Sequence, residues 1–352
     1  MSVPITKGGC GKTATLFPTH VGVFLSIISV NLKMETFSHT RGSVPCKEHK
    51  NKINQVKKEI IMIGTIIGDI IGSPYEGLTK QQKKETFPLF SKYSRFTDDT
   101  VMTIAVMDAC IKIKEEESQR GFFCKLWRKA KICLHFLDED QEKMKIIENS
   151  LRCYGGMYPD AGYGYGFIQW LNNKNLGPYN SYGNGSAMRV SAIPWIFNDI
   201  NEVRHIAKLS AAITHNHPEG IKGAEAVACA IFLAGEKKSK DEIKKYVEKE
   251  FGYNLSKTAD EIRKERIIST TCMDTIPESM IAFLDSNSFE DAIRNAVSFG
   301  GDTDTIAAIT GGIAEVYYEK IPAEMINESY SRLPEHLYLE IERFMKYVYH
   351  II

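Results

Sequence analysis

The chain has 352 residues, of which 43% are hydrophobic and 25% charged. That is ordinary globular composition, with material for one large core or two smaller ones, and it excludes a fibrous or low-complexity chain. Forty-four basic residues balance 44 acidic ones, which argues against a dedicated nucleic-acid binder; no basic patch is evident, although a local one stays open.

The first motif in chain order is "KGGCGKT", residues 7–13, which has the form of a phosphate-binding loop and resembles the variant of the partition-type ATPases. Such a loop needs a buried strand before it and a helix after it, so that backbone N–H groups face the phosphates. Pro4 interrupts the only stretch that could be the strand, and Pro18 falls inside the would-be helix. No alternation of strands and helices follows, so the motif reads as a decoy. "VGVFLSIISV", Val21 to Val30, is too short to span a bilayer. It also lacks a small-residue cleavage site, which leaves neither a membrane anchor nor a secretory signal. Eight scattered cysteines with no CxxC pair fit reduced thiols in a cytoplasmic protein. Residues 1–60 carry little helical periodicity and are expected to be an extension without a core of its own, ahead of a working domain at 61–352.

From Met62 onward the chain reads as helix after helix. "TVMTIAVMDACIKIKEE" and "GFFCKLWRKAKICLHFLDE" are amphipathic. "HPEGIKGAEAVACAIFLAGE" has Pro218 near its start and Gly235 at its end. "SKDEIKKYVEKEF" and "LSKTADEIRKER" read as charged outer helices, and "LPEHLYLEIERFMKYVYHII" closes the chain. Gly64, Gly68 and Gly72 recur at every fourth position, and "AAITGGIAEV" is similar. Glycine inside a helix costs about 1 kcal/mol relative to alanine, so its use here predicts helices packed backbone-close. The expected fold class is all-α, one compact multi-helix domain, with a monomer favoured.

Two helix starts share one design. "SRFTDDTVM" places Thr97, Asp98, Asp99 and Thr100 at one, and "FGGDTDTIAAITGG" places Asp302, Thr303, Asp304 and Thr305 at the other. Either alone reads first as capping, since first-turn acids suit the helix dipole. Neighbouring acids on a regular helix point about 100° apart, whereas at a helix start the backbone is still turning and they can converge. Four Asp and two or more Thr oxygens from two such starts would form an all-oxygen site suited to Mg²⁺ or Mn²⁺, and zinc is disfavoured.

In order, "GDIIGSPYEG", "FTDDTVM", "GNGSAMR", "THNHPEG" and "GGDTDTIAAITGG" resemble the ADP-ribosylglycohydrolase family, which includes the dinitrogenase-reductase-activating glycohydrolase. The resemblance runs from Met62 to about Tyr318. It implies an all-α hydrolase that holds two Mg²⁺ or Mn²⁺ ions and cleaves the glycosidic bond between ADP-ribose and a protein side chain or small acceptor. The implied metal ligands are Thr97, Asp98, Asp99, Asp302, Asp304 and Thr305. Glu76 falls where some members place a gating carboxylate, and Asp160 where the nitrogenase-regulating member has a functional acid. Either Glu76 or Asp99 would serve as the base that accepts a proton from water.

The remaining motifs fit an ADP-ribose ligand. The glycine-rich loop "YPDAGYGYGF", with Gly162 and Gly164, runs into a helix where backbone N–H groups could hold a pyrophosphate. Asn184 and Gly185 offer close approach to a ribose, and Arg189 either pairs with a phosphate or serves the fold. His215 would lie beside the ligand, and Tyr163 or Tyr182 could stack on adenine. Two rivals stay open: a metal-dependent phosphoester hydrolase, and a scaffold that binds ADP-ribose without turnover.

Overall fold

A computed structural model describes residues 62–77, 86–128, 139–265 and 268–351. The expectations for residues 1–60, the loop at 7–13 among them, lie outside the described residues. The described chain forms thirteen α-helices, three short 3₁₀ turns and one isolated antiparallel bridge between Gly183 and Thr271, with no strand. No helix among the described residues is long and apolar enough to cross a membrane.

The first helix, α1 (Gly64–Gly72, "GTIIGDIIG"), is buried at all nine of its residues. Its even apolarity explains this, because a helix without a polar face has no side to give to water. Its glycine stripe lies on α11 (Thr303–Tyr318). A Cβ built at Gly64, Gly68 or Gly72 would stand 2.4, 2.0 and 2.4 Å from the carbonyl oxygens of Gly311, Ala307 and Thr303. The two backbones therefore touch along the whole length of α1, as the glycine spacing predicts. Glu315, buried on α11, accepts from the backbone N–H groups of Ile63 (3.0 Å) and Gly64 (2.7 Å). It thereby satisfies donors that α1 cannot pair itself.

The other helices surround this pair. The long α2 (Asp98–Arg128) spans the first amphipathic segment predicted there and the opening of the second, whose residues 129–138 lie outside the described ones, and α3 (Glu139–Met157) packs beside it. Next comes α4 (Tyr165–Asn172), followed by α5 (Ile200–Ala212), which pairs with α6 (Pro218–Gly235). Pro218 is the first residue of α6 and His217 its cap, with Nδ1 accepting from Glu219 N. The charged α7 (Lys240–Phe251) and α8 (Ala259–Glu265) lie outside. The buried α9 (Cys272–Leu284) and α10 (Phe289–Phe299) support α11, and α12 (Ala323–Tyr330) and α13 (Glu335–Ile351) close the bundle.

The crossing makes a prediction about its tightest glycine. Gly68→Ala should lose more than about 3 kcal/mol of stability, because a carbonyl of the facing backbone cannot move away as a side-chain tip could. In contrast, a Cβ at Gly156 on α3 meets nothing within 4 Å. Gly156→Ala should be neutral or stabilising by up to about 1 kcal/mol. Chemical denaturation of both variants checks this, and a Gly68→Ala protein of wild-type stability would show that the two backbones do not touch there.

Candidate metal and ligand site

The site begins with a carboxylate inside α1. Asp69 is fully buried and accepts four hydrogen bonds from the start of α2: Thr97 N (2.9 Å), Thr97 Oγ1 (2.7 Å), Thr100 N (3.1 Å) and Thr100 Oγ1 (2.5 Å). The free N–H groups at the head of α2 are thus capped from another helix. Asp98 and Asp99 are released from the capping role that a helix start would give them. The backbone N–H of Asp98 is occupied too, donating to Ala161 O at 3.0 Å.

The second start is aimed by a two-glycine turn. Gly300 and Gly301 have φ of +79° and +74°, a region that glycine enters without penalty. They reverse the chain into α11. Thr303 Oγ1 donates to Gly72 O (2.9 Å), which seats the helix on α1. Asp304 and Thr305 then face the head of α2, where Thr305 Oγ1 donates to Asp99 Oδ2 at 3.0 Å. Carboxylate oxygens of Asp69, Asp99 and Asp304 lie within 4.8 Å of one another, as do those of Glu76, Asp302 and Asp304. Asp304 belongs to both groups.

Such crowding shapes the electrostatics. Burial, followed by the charges of Asp69 and Asp302, pushes the Asp98 carboxyl up to about 8. Burial and neighbouring acids hold Asp99 and Asp304 well above the usual carboxylate range. Glu76, at the exposed edge, is raised by burial and then by Asp302, while Arg95 opposes the shift. Asp99 Oδ1 is buried without a hydrogen-bond partner. A cluster of like charges with an unsatisfied oxygen is what a cation relieves, and an all-oxygen donor set suits a hard divalent ion. The residues present therefore fit a metal.

These groups form one wall of a cavity of about 350 Å³, within the range of small-ligand sites. The lining also brings in a run of glycines and aromatic residues at 162–167. Gly162 has φ +110°, and a Cβ there would lie 3.5 Å from Asp98 Oδ1. Gly164 caps α4 with nothing in front of it. Asn184 and Gly185 line a further side, together with His215 and Arg189. Asp160 is exposed and does not line the cavity.

Arg189 is buried, with Nη2 donating to Ser210 O (2.6 Å) and Thr214 Oγ1 (3.0 Å). Thr214 Oγ1 also lies 2.7 Å from His215 Nδ1 and can donate to it or accept from it, while the other ring nitrogen, Nε2, is turned toward Gly185. A Cβ at Gly185 would stand 3.2 Å from that nitrogen, so the ring faces the glycine turn. Burial and then Arg189 hold His215 well below the usual histidine range, which keeps it neutral. Tyr163 is buried against Phe167, whereas Tyr182 is 47% exposed and meets His217 edge-on at 5.3 Å.

Sequence reasoning assigned no role to Asp69, Arg95 or Thr275. A signal existed for Asp69: it is the one charged residue in a nine-residue helix that is otherwise apolar or small, and a buried charge demands partners. Neither Arg95 nor Thr275 carries such a signal.

A family model described as ADP-ribosylglycohydrolase matches residues 59–349. The chain is 26% identical to ADP-ribosylhydrolase ARH3 of Homo sapiens over 335 residues, covering 73% of this chain and 84% of that protein. It is 25% identical to ADP-ribosylarginine hydrolase Tri1 of Pseudomonas putida, covering 73% and 69% respectively. A solved structure titled "ADP-ribosylglycohydrolase-related protein complex" shares the fold, with a TM-score of 0.53 and 22% identity over 81% of this chain and 96% of that one.

The raised carboxyls predict how stability depends on pH. In the unfolded chain these acids ionise near pH 4, while in the fold Asp98 holds its proton to about 8. The stability they contribute is complete below about pH 4 and is lost as pH rises through the folded value. The melting temperature of metal-free protein should fall between pH 5 and pH 8. Excess Mg²⁺ or Mn²⁺ should raise it by roughly 5 °C at pH 8 and by much less at pH 5, because the ion competes with bound protons. An equal metal effect at both pH values would show that these carboxyls are not the ligands.

Proposed function

The chain belongs to the ADP-ribosylglycohydrolase family, and we propose that it is a metal-dependent hydrolase that removes ADP-ribose from a protein side chain or small acceptor. One observation carries this reading: two acidic helix starts, joined by the Thr305–Asp99 hydrogen bond, face a glycine-walled cavity large enough for a nucleotide fragment. In the reaction, water oxygen joins the anomeric carbon of the ribose. The bond from that carbon to the acceptor nitrogen or oxygen breaks, and the acceptor leaves with a proton.

Thr97, Asp98, Asp99, Asp302, Asp304 and Thr305 would hold two divalent ions, Mg²⁺ or Mn²⁺. When bound, such ions neutralise the cluster, orient ribose hydroxyls and lower the pKa of water. Each of the chain's own groups then has a task. Glu76, at the cavity edge and raised above the usual carboxylate range, accepts the proton of the attacking water. Asp99 is the less suitable base, since it is fully buried and Oδ2 already accepts from Thr305. The backbone at Gly162 and Gly164, two cavity-lining residues without a Cβ, receives the pyrophosphate. Arg189 adds buried positive charge behind that ligand, its own bonds being to neutral oxygens. His215, held neutral, turns Nε2 toward the glycine turn at the cavity. Tyr163 lines the cavity and Tyr182 does not, so the exposure of Tyr182 does not by itself make it the ring for adenine. Asp160 has no part in this mechanism. The proposed unit is 61–352, with residues 1–60 as an extension.

Calorimetric titration of ADP-ribose with Mg²⁺ and then with EDTA tests the ligand without knowledge of the acceptor. Binding should be strong with metal and weak in EDTA. Asp302→Asn and Asp304→Asn should each lower release of ADP-ribose from arginine- or serine-linked substrates by about 100-fold or more. Cleavage of nitrophenyl phosphate with no response to ADP-ribose would replace this reading with a phosphoester hydrolase, and metal-dependent binding without turnover with a non-catalytic scaffold.

A further inference from the structure

Asp302 stands apart from the other acids of the cluster. It is the residue that precedes α11, yet its side chain does not cap that helix. The direction of its carboxylate is set from elsewhere. Asn184 Nδ2 lies 2.6 Å from Asp302 Oδ2 and 3.1 Å from Thr275 Oγ1. An ionised carboxylate only accepts, so the nitrogen of the Asn184 amide must face it. The Thr275 hydroxyl, meeting the same nitrogen, must then accept the second amide proton. Both protons of Asn184 are thus assigned, which fixes its orientation and leaves Oδ1 as an acceptor on a residue that lines the cavity.

Thr275 is well placed to hold that amide. It is fully buried in the first turn of α9. The head of α9 is itself tied to the 182–184 turn by Asn184 N donating to Thr270 O (2.9 Å) and Cys272 N donating to Tyr182 O (3.0 Å). Turn and helix head therefore form one unit, and the threonine hydroxyl is a fixed point within it.

We propose that Thr275 is a positioning residue that aims the Asp302 carboxylate through the Asn184 amide. The proposal rests on the reading of Asp302 as a metal ligand. Thr275 touches neither the carboxylates nor a ligand. Its effect is to stop the amide from turning, which stops the carboxylate from turning. Groups that orient a ligand in this way typically account for 10- to 100-fold in metal affinity.

The test is a titration of the full-length metal-free protein with Mn²⁺ alone, following free ion by electron paramagnetic resonance well below the melting temperature. Thr275→Val keeps the shape and removes the acceptor. It should weaken Mn²⁺ binding by about 10-fold, whereas Thr275→Ser, which keeps the hydroxyl, should stay within about 2-fold of wild type. Thr275→Ala repeats the comparison should the valine protein fail to fold. Wild-type affinity in the valine or alanine variant would overturn the proposal. So would equal loss in the serine variant, because the methyl group would then be what matters. Wild-type protein that binds no Mn²⁺ would overturn it together with the metal reading. Wild-type protein that binds Mn²⁺ but releases no ADP-ribose would sink the proposed activity alone and leave the Thr275 comparison valid.

Discussion

The site depends on how closely α1 and α11 approach. Three glycines on α1 remove every Cβ that would separate the helices, so Thr303 and Asp304 sit directly against Gly72. That contact fixes the head of α11 relative to Asp69, which lies one turn back on the same helix. Asp69 in turn holds the head of α2 through its bonds to Thr97 and Thr100. One short, fully buried helix therefore sets both acidic helix starts, one by backbone contact and the other through a side chain. Van der Waals contact between backbones is stiff and short-ranged, which suits a site whose ligand oxygens must agree within tenths of an ångström.

The same arrangement concentrates unfavourable charge. Buried carboxylates within reach of one another oppose folding unless protonated or paired. The raised positions of Asp98, Asp99 and Asp304 express that conflict. Stability is sacrificed locally to assemble a donor set that water alone does not satisfy, and the surrounding helices supply the compensation. This is the sense in which a functional site breaks the rules that the rest of the chain obeys. The rest of the cavity lining has another character: glycines, a histidine held neutral and a buried arginine whose side chain is tied to Ser210 and Thr214.

Much of this was legible in the residues. The glycine spacing announced close helix contact, and the repeated acid–threonine pattern at two helix starts announced an oxygen-rich site. Other features were not legible, for reasons of geometry. Sequence reading weighed Thr97, Asp98 and Asp99 as caps for their own helix; Thr97 Oγ1 does accept from Asp99 N, but Thr97 N and Thr100 N are met by Asp69, 28 and 31 residues away. A cap supplied from another helix leaves no local pattern. Thr275 is an ordinary threonine until α9 brings it within reach of Asn184, 91 residues earlier.

The sequence by itself determined the all-α class, the close packing of the glycine-bearing helices and the chemical type of the site. These follow from local periodicity and from which side chains the chain possesses. Tertiary structure alone decided which donors meet which acceptors: it gave Asp69 to the head of α2, brought Thr275 to Asn184 and left Asp160 outside the cavity. Such outcomes depend on which donors meet which acceptors across long stretches of chain, and hydrogen-bond satisfaction in a buried site is a property of the assembled neighbours rather than of any one segment.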